Sequence, residues 1–255
     1  MKSTEIVDAL GVLDEKALGE PSHLPGWSRL TIACHLRYGA EALCRMTEAA
    51  IAGQPTSYYP DRREVQRSQT LRPLPAESPM DVVTSLGERS TELDRAWRTV
   101  DDQTWKIDVV EPRDNPDLGT IELARLPLLR LTEVEVHGSD LGLGLDDWSE
   151  LFVRVALPMR LEWINTRRSN HRDFDADLDG SWLIVATDGP IYKVTVKGTR
   201  VESRPAESTS SARATIEASS RDLLALMVGR RLRHDPGLSG DIEFAEAFRR
   251  AFPGP

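Results

Sequence analysis

Glu133 and His137, in the stretch LRLTEVEVHGSDLG (129–142), are the residues whose types and spacing most directly offer chemistry. Four positions apart on a helix, they stand one turn from each other on one face. A carboxylate oxygen and an imidazole nitrogen so placed can reach a single cation, each at about 2.0–2.2 Å if the ion is zinc. A third donor from a facing helix completes a set that leaves a coordination position open, the arrangement of catalytic rather than structural zinc. His35, in ACHLRYGAEALC (33–44), is the candidate. The same spacing also describes an ordinary pair interacting across an exposed helix turn. Nothing in spacing brings residue 35 to residue 137.

The elements that must position these groups can be read from periodicity and caps. A first helix is expected over Ser3 to about Leu18, followed by the turn GEPSHLPGWS. Ser28 suits an N-cap, its hydroxyl satisfying first-turn amides. The helix it opens carries Leu30, Ala33, Ala40 and Leu43 at helical spacing and runs to about Ala52, with Gly53 ending it. Residues 53–78 form a polar, proline-bearing connection, and long connections are often functional. A third helix is capped near Ser78, with Val82, Val83, Leu86, Leu93 and Trp97 facing inwards. An irregular segment with Pro112 and Pro116 leads to a fourth helix at about 122–138, in which Pro127 is either a start or a kink. Four such helices make a bundle.

Beyond GLGLDD (142–147) the pattern changes. DDWSELFVRVALPMRLEWINTRR is helical, SWLIVATDG and IYKVTVKGT are strands joined at Asp-Gly-Pro, and ARATIEA is a third strand. Two helices follow, SRDLLALMVGRRL and DIEFAEAFRRAF. The expected fold class is therefore a two-domain α+β protein, a helical bundle over 1–145 and an α+β domain over 146–255.

Composition narrows the function classes. A net charge of −9 argues against nucleic acid or an anionic membrane as partner. No apolar run is long enough to span a bilayer, and the acidic start MKSTEIVDALGVLDEK does not read as a signal peptide, so a cytoplasmic location is expected. Cys34 and Cys44 share one helix, about 15 Å apart along its axis, and read as small apolar side chains in a reducing compartment. Only five of the 32 basic residues are lysine, a bias expected of a GC-rich, for example actinobacterial, genome.

The stretch LPGWSRLTIACHLRYGAEALC, together with RLTEVEVHGSDLG, resembles the mycothiol-dependent maleylpyruvate isomerases and their relatives, which belong to the DinB-like metal-binding bundles. Shared features are Gly26-Trp27-Ser28, His35 seven residues beyond Ser28, then Tyr38, Ala40, Leu43 and Cys44; later come Arg130, Glu133, Val134, His137, Asp140 and Leu141. The resemblance implies that His35, Glu133 and His137 bind zinc or another divalent metal. It also implies mycothiol as thiol cosubstrate. GLSGDIEFAEAFRRAF after a strand-rich region resembles the end of a sterol-carrier-type domain, which these enzymes append to the bundle.

Around the ligand set, Arg130 and Asp140 share the face of Glu133 and His137. Asp140 can orient His137, and Arg130 can pair with Glu133 or meet an anionic substrate; both read equally as ordinary ion pairs at a helix end. Tyr38, a turn from His35, is a candidate for hydrogen-bonding substrate or for core packing. The resemblance makes Arg63, in YYPDRREVQ, a candidate for binding an anionic group, with a solvated loop charge as the alternative. Arg230, in the cluster with Arg231 and Arg233, is a candidate to face substrate or simply a solvated helix end. The reaction implied is attack by a metal-activated thiolate on an electrophilic small molecule, either a lasting S-transfer or the reversible addition of a cis–trans isomerase. Matched loosely, an arginine associated with dicarboxylate binding in the isomerases falls here on Ala225, which favours a transferase. The rival from another class is a non-catalytic module with a structural metal and an apolar ligand.

Overall fold

The structure, a computed structural model, describes residues 2–54, 56–110, 112, 119–167 and 176–252. It divides into two compact units, the first ending at Trp148 and the second beginning at Ser149.

In the first unit, helices α1 (Lys2–Gly11) and α2 (Glu15–Gly19) replace the single helix expected there. The break has a local cause: Gly11 ends α1, and Asp14 caps α2 by accepting from the Ala17 amide at 2.7 Å. Helix α3 (Arg29–Ile51) starts at Ser28, whose Oγ accepts from the Thr31 amide. The connection after it holds a further short helix, α4 (Arg63–Thr70), without a buried residue to reveal it in the sequence. Helix α5 (Pro79–Arg98) begins in a reciprocal capping box between Ser78 and Asp81. The segment expected to be irregular contains a small antiparallel ribbon of β1 (Asp108–Val110) and β2 (Thr120–Glu122); Pro116 lies outside the described residues. A 3₁₀ turn at Leu123–Arg125 then leads into α6 (Leu126–Asp140), so Pro127 sits in the first turn and starts the helix rather than kinking it.

Helices α1, α3, α5 and α6 close a four-helix ring in which α3 and α1 each touch both α5 and α6. Its apolar interior forms two clusters. One includes Ile6, Leu10, Ile32, Leu36, Leu86 and Val134; the other includes Ala40, Leu43, Met46, Leu93, Leu123 and Leu126. Arg130 lies between the two clusters, and its guanidinium bridges the helices there.

The second unit opens with α7 (Glu150–Arg167). A mixed sheet follows, built from β3 (Gly180–Ala186), β4 (Ile191–Lys197), β5 (Arg200–Pro205) and β6 (Ala214–Ala218). Helix α8 (Ser220–Met227), strand β7 (Gly237–Gly240) and helices α9 (Ile242–Glu246) and α10 (Phe248–Ala251) complete it. The strand order is β5-β4-β3-β6-β7, with β3 and β6 parallel and every other pair antiparallel. Strands β5 and β7 are the two edges that periodicity missed: one is mostly polar (RVESRP), the other is the glycine-bearing GLSG. Trp182 stacks on Phe244 at 4.1 Å and donates its indole N–H to the Phe244 carbonyl, fixing α9 to the sheet.

Candidate metal centre

Helices α3 and α6 run side by side in the first unit and bring His35 to Glu133 and His137. His35 Nε2 lies 2.7 Å from Glu133 Oε2, and His137 Nε2 lies 3.4 Å from the same oxygen. One donor atom from each residue falls within 4.8 Å of the other two. Ligands of a tetrahedral ion at about 2.1 Å stand about 3.4 Å apart, so the His137–Glu133 separation already matches and His35 has only to draw back slightly. Two imidazoles and a carboxylate are a zinc-type donor set. The Glu133 side chain is 41% exposed, against 20% for His35 and 13% for His137, so the cluster is open on the carboxylate side.

The electrostatics follow from those contacts. Burial opposes charge on Glu133, but hydrogen bonds from His137 and His35 hold its carboxyl well below the usual range. Burial likewise disfavours an imidazolium at His137, yet hydrogen bonds to Asp140 and Glu133 raise its pKa from 6.5 to about 9. Burial lowers His35, against the pull of Glu133. Asp140, 4% exposed at its side chain, holds His137 Nδ1 at 2.9 Å. That contact fixes the ring orientation and directs Nε2 at the cluster.

A wall of the site comes from the turn before α3. Trp27 lies parallel to the His137 ring at 5.8 Å and edge-on to His35 at 5.3 Å. Its turn is tied to itself through Ser22, whose Oγ donates to the Trp27 carbonyl at 2.8 Å. It is also tied to the end of α6. The His23 amide donates to the Asp140 carbonyl at 2.7 Å, and Arg29 Nε donates to the Leu141 carbonyl at 3.2 Å. Gly142 is required at this junction: its φ is +69°, and a Cβ there would meet His23 Nε2 at 2.9 Å.

The remaining candidates from the sequence are placed differently. Arg130 is 5% exposed and donates to the Leu36 carbonyl at 2.7 Å and to Ser90 Oγ at 3.1 Å. It therefore cross-links α6 to α3 and α5 from the interior, and no ion pair with Glu133 forms among the described residues. Burial lowers its pKa from 12.5 to about 10. The Tyr38 hydroxyl donates to the Tyr58 carbonyl at 2.8 Å. Arg63 opens α4, half-buried, and its guanidinium has no hydrogen-bond or ion-pair partner among the described residues. The residue before it, Arg62, has φ +69°, a strained conformation for a side chain of that size. Arg230 belongs to the second unit, where its Nη1 donates to the Val228 carbonyl at 2.8 Å. Tyr58 escaped the sequence reading, being visible only as a ring in an otherwise polar connection, and Trp27 was noted as part of the Gly26-Trp27-Ser28 motif without a place at the site.

Comparison with known proteins gives the family and the fold. Residues 2–142, which include every residue of the cluster, match the family profile described as the mycothiol maleylpyruvate isomerase N-terminal domain. Two solved structures share the fold across 93% of this chain and 88% of theirs. One is a crystal structure of the mycothiol-dependent maleylpyruvate isomerase with a histidine-to-alanine mutation, at 20% identity and a TM-score of 0.67. The other is a crystal structure of the mycothiol-dependent maleylpyruvate isomerase, at 19% identity and a TM-score of 0.65. No curated protein sequence matches the chain.

Proposed function

Because the chain belongs, through residues 2–142, to the family of the mycothiol maleylpyruvate isomerase N-terminal domain, we propose that it is a mycothiol-dependent metalloenzyme. In this reading it is an S-transferase that joins the thiol to an electrophilic small molecule, or exchanges it there, in detoxification or natural-product biosynthesis. The observation that carries the reading is the convergence of His35, Glu133 and His137. These side chains hold zinc or another divalent ion, which supplies the positive charge that favours a thiolate over its thiol at neutral pH.

The chain's own groups do the rest. Asp140 keeps the His137 proton on Nδ1, leaving Nε2 free to donate its lone pair. Trp27 shields the two imidazoles from water on one side, while the exposed flank of Glu133 admits the thiol. Arg63 offers an uncommitted planar fork to a carboxylate of the acceptor. Attack forms a carbon–sulfur bond. At a saturated centre the leaving group departs with the old bonding pair; at an activated alkene the π pair moves to the neighbouring carbon.

The second reading is cis–trans isomerisation by reversible addition, a maleylpyruvate isomerase like the two solved structures that share the fold. Against it stands Ala225, fully buried in α8, which offers no charge for a dicarboxylate. Purified protein with measured zinc content, incubated with mycothiol and a panel of electrophiles, separates the readings. Metal-dependent thioether formation is the expected result. Conversion of maleylpyruvate without net loss of thiol would select the isomerase, and ligand retention without turnover the binding module. Full activity in metal-free protein would refute the metal reading.

A further inference from the structure

The connection between α3 and α5 carries a group that the metal reading leaves unused. Tyr58 is 9% exposed. Its carbonyl accepts from the Tyr38 hydroxyl at 2.8 Å and from Arg45 Nη2 at 3.0 Å. Its ring packs against those of Tyr38 and Tyr59, with centroids 5.4 and 4.8 Å away. Backbone and ring are therefore fixed from several sides. The hydroxyl is not: it has no hydrogen-bond partner among the described residues. Tyr58 is buried as a residue, yet its oxygen is not fully enclosed, and a hydroxyl left open on a buried ring calls for an explanation.

The position of that hydroxyl supplies the explanation. A Cβ built on Gly39 would lie 3.2 Å from Tyr58 Oη and 3.3 Å from Arg130 Nη1. Gly39 is one turn beyond His35 on α3, and Arg130 is three residues before Glu133 on α6. The hydroxyl thus sits in the seam between α3 and α6, beside Gly39 and Arg130, positions about one helical turn along each helix from His35 and Glu133. The absence of a side chain at Gly39 gives it that room. The neighbouring Arg130 guanidinium is already engaged by the Leu36 carbonyl and Ser90, so it biases the locality towards anions without accepting the hydroxyl as a partner.

We propose that the Tyr58 hydroxyl donates a hydrogen bond to an anion gathered at the His35–Glu133–His137 cluster, which makes Tyr58 a ligand-binding residue of the site. The inference rests on the metal and thiol reading above. Donation is the available role: burial, reinforced by the Glu133 charge, pushes ionisation of the phenol well above its usual value of 10, so the proton stays on oxygen. The anion is either the thiolate or a carboxylate of the acceptor, and these are separate arms of one experiment.

Parent protein and Tyr58→Phe, both loaded with cobalt(II), are each titrated three ways. Cobalt affinity is read from its visible bands, mycothiol affinity from the sulfur-to-cobalt band, and maleate affinity from the perturbed visible spectrum. The expected result is cobalt affinity within twofold of the parent, with mycothiol or maleate bound about tenfold more weakly, the loss of one hydrogen bond to a charged group. The arm that moves identifies the anion. Unchanged affinity for both anions overturns the role of Tyr58 while leaving the metal reading intact, and so does a fall in cobalt affinity that accounts for any loss. A parent that takes up no cobalt refutes the metal reading, and this inference with it.

Discussion

His137 is held at both ring nitrogens, by Asp140 at Nδ1 and by Glu133 at Nε2. These contacts raise the pKa of the ring to about 9, so a divalent ion held by the cluster would compete with a proton for Nε2. Asp140 stays behind and fixes the ring's rotation. Asp140→Asn keeps the shape and removes the charge, and is expected to weaken cobalt(II) or zinc affinity by about 10- to 100-fold, read by competition with a chromophoric chelator. Asp140 was legible in the sequence because it lies three residues after His137 on the same helix. The three candidate ligands were named for a related reason: residue types that bind metals stood within motifs resembling those of known relatives, and the fold brings them together. Tyr58 was not, and Trp27 was legible as a motif residue but not as a wall of the site. An aromatic residue in a loop has no periodicity, and only the fold reveals what its ring or hydroxyl approaches.

Capped helices were the best-determined elements. Ser28 and Ser78 each accept an amide at the start of a long helix, as their sequence contexts imply. Helix α4 and the β1–β2 ribbon were hidden because neither buries a stripe wide enough to pattern the chain. Helix α8 shows how strongly one first-turn residue can bear on an element. Asp222, 2% exposed, accepts from the Arg233 amide at 2.7 Å and from Ser219 Oγ at 3.0 Å, and lies 3.5 Å from His234. Burial opposes its charge, but these hydrogen bonds and the nearby Arg221 hold its pKa below 3.8. A depressed folded value means that the stabilisation is present above 3.8 and is lost as pH falls through the folded value. Asp222→Asn is therefore expected to flatten the acid limb of the stability curve below about pH 4 and to cost about 2 kcal/mol at neutral pH, both read by denaturant melts across pH.

The whole molecule divides its tasks between units of different construction. A bundle supplies every residue of the metal cluster, and a mixed sheet with flanking helices forms the second unit. No described helix is long and apolar enough to cross a membrane. A ligand that binds only the folded state stabilises by mass action, about 2.7 kcal/mol at a hundredfold excess over its dissociation constant. Zinc is accordingly expected to raise the melting temperature of the parent but not of His35→Ala. Hydrogen exchange should slow in α3 and α6 and stay unchanged in β3–β6. The switch in periodicity near residue 145 lies close to the division between the two units, which falls after Trp148. The order of the strands was not, because parallel pairing of β3 with β6 depends on contacts that no local pattern encodes.

The candidate metal donors stand on α3 and α6, whereas Tyr58 and Arg63 stand on the stretch that leaves α3 at Gly53 and rejoins the bundle at Ser78. In the proposed reading, rigid rods thus fix the reactive centre, and a loop supplies the groups aimed at incoming molecules. Its length can drift by a residue without rotating any donor, whereas a one-residue insertion between Ser28 and His35 would swing the imidazole by about 100° around its helix. A lineage could therefore retune which compounds it accepts by editing that loop alone, with the inherited reactivity kept whole.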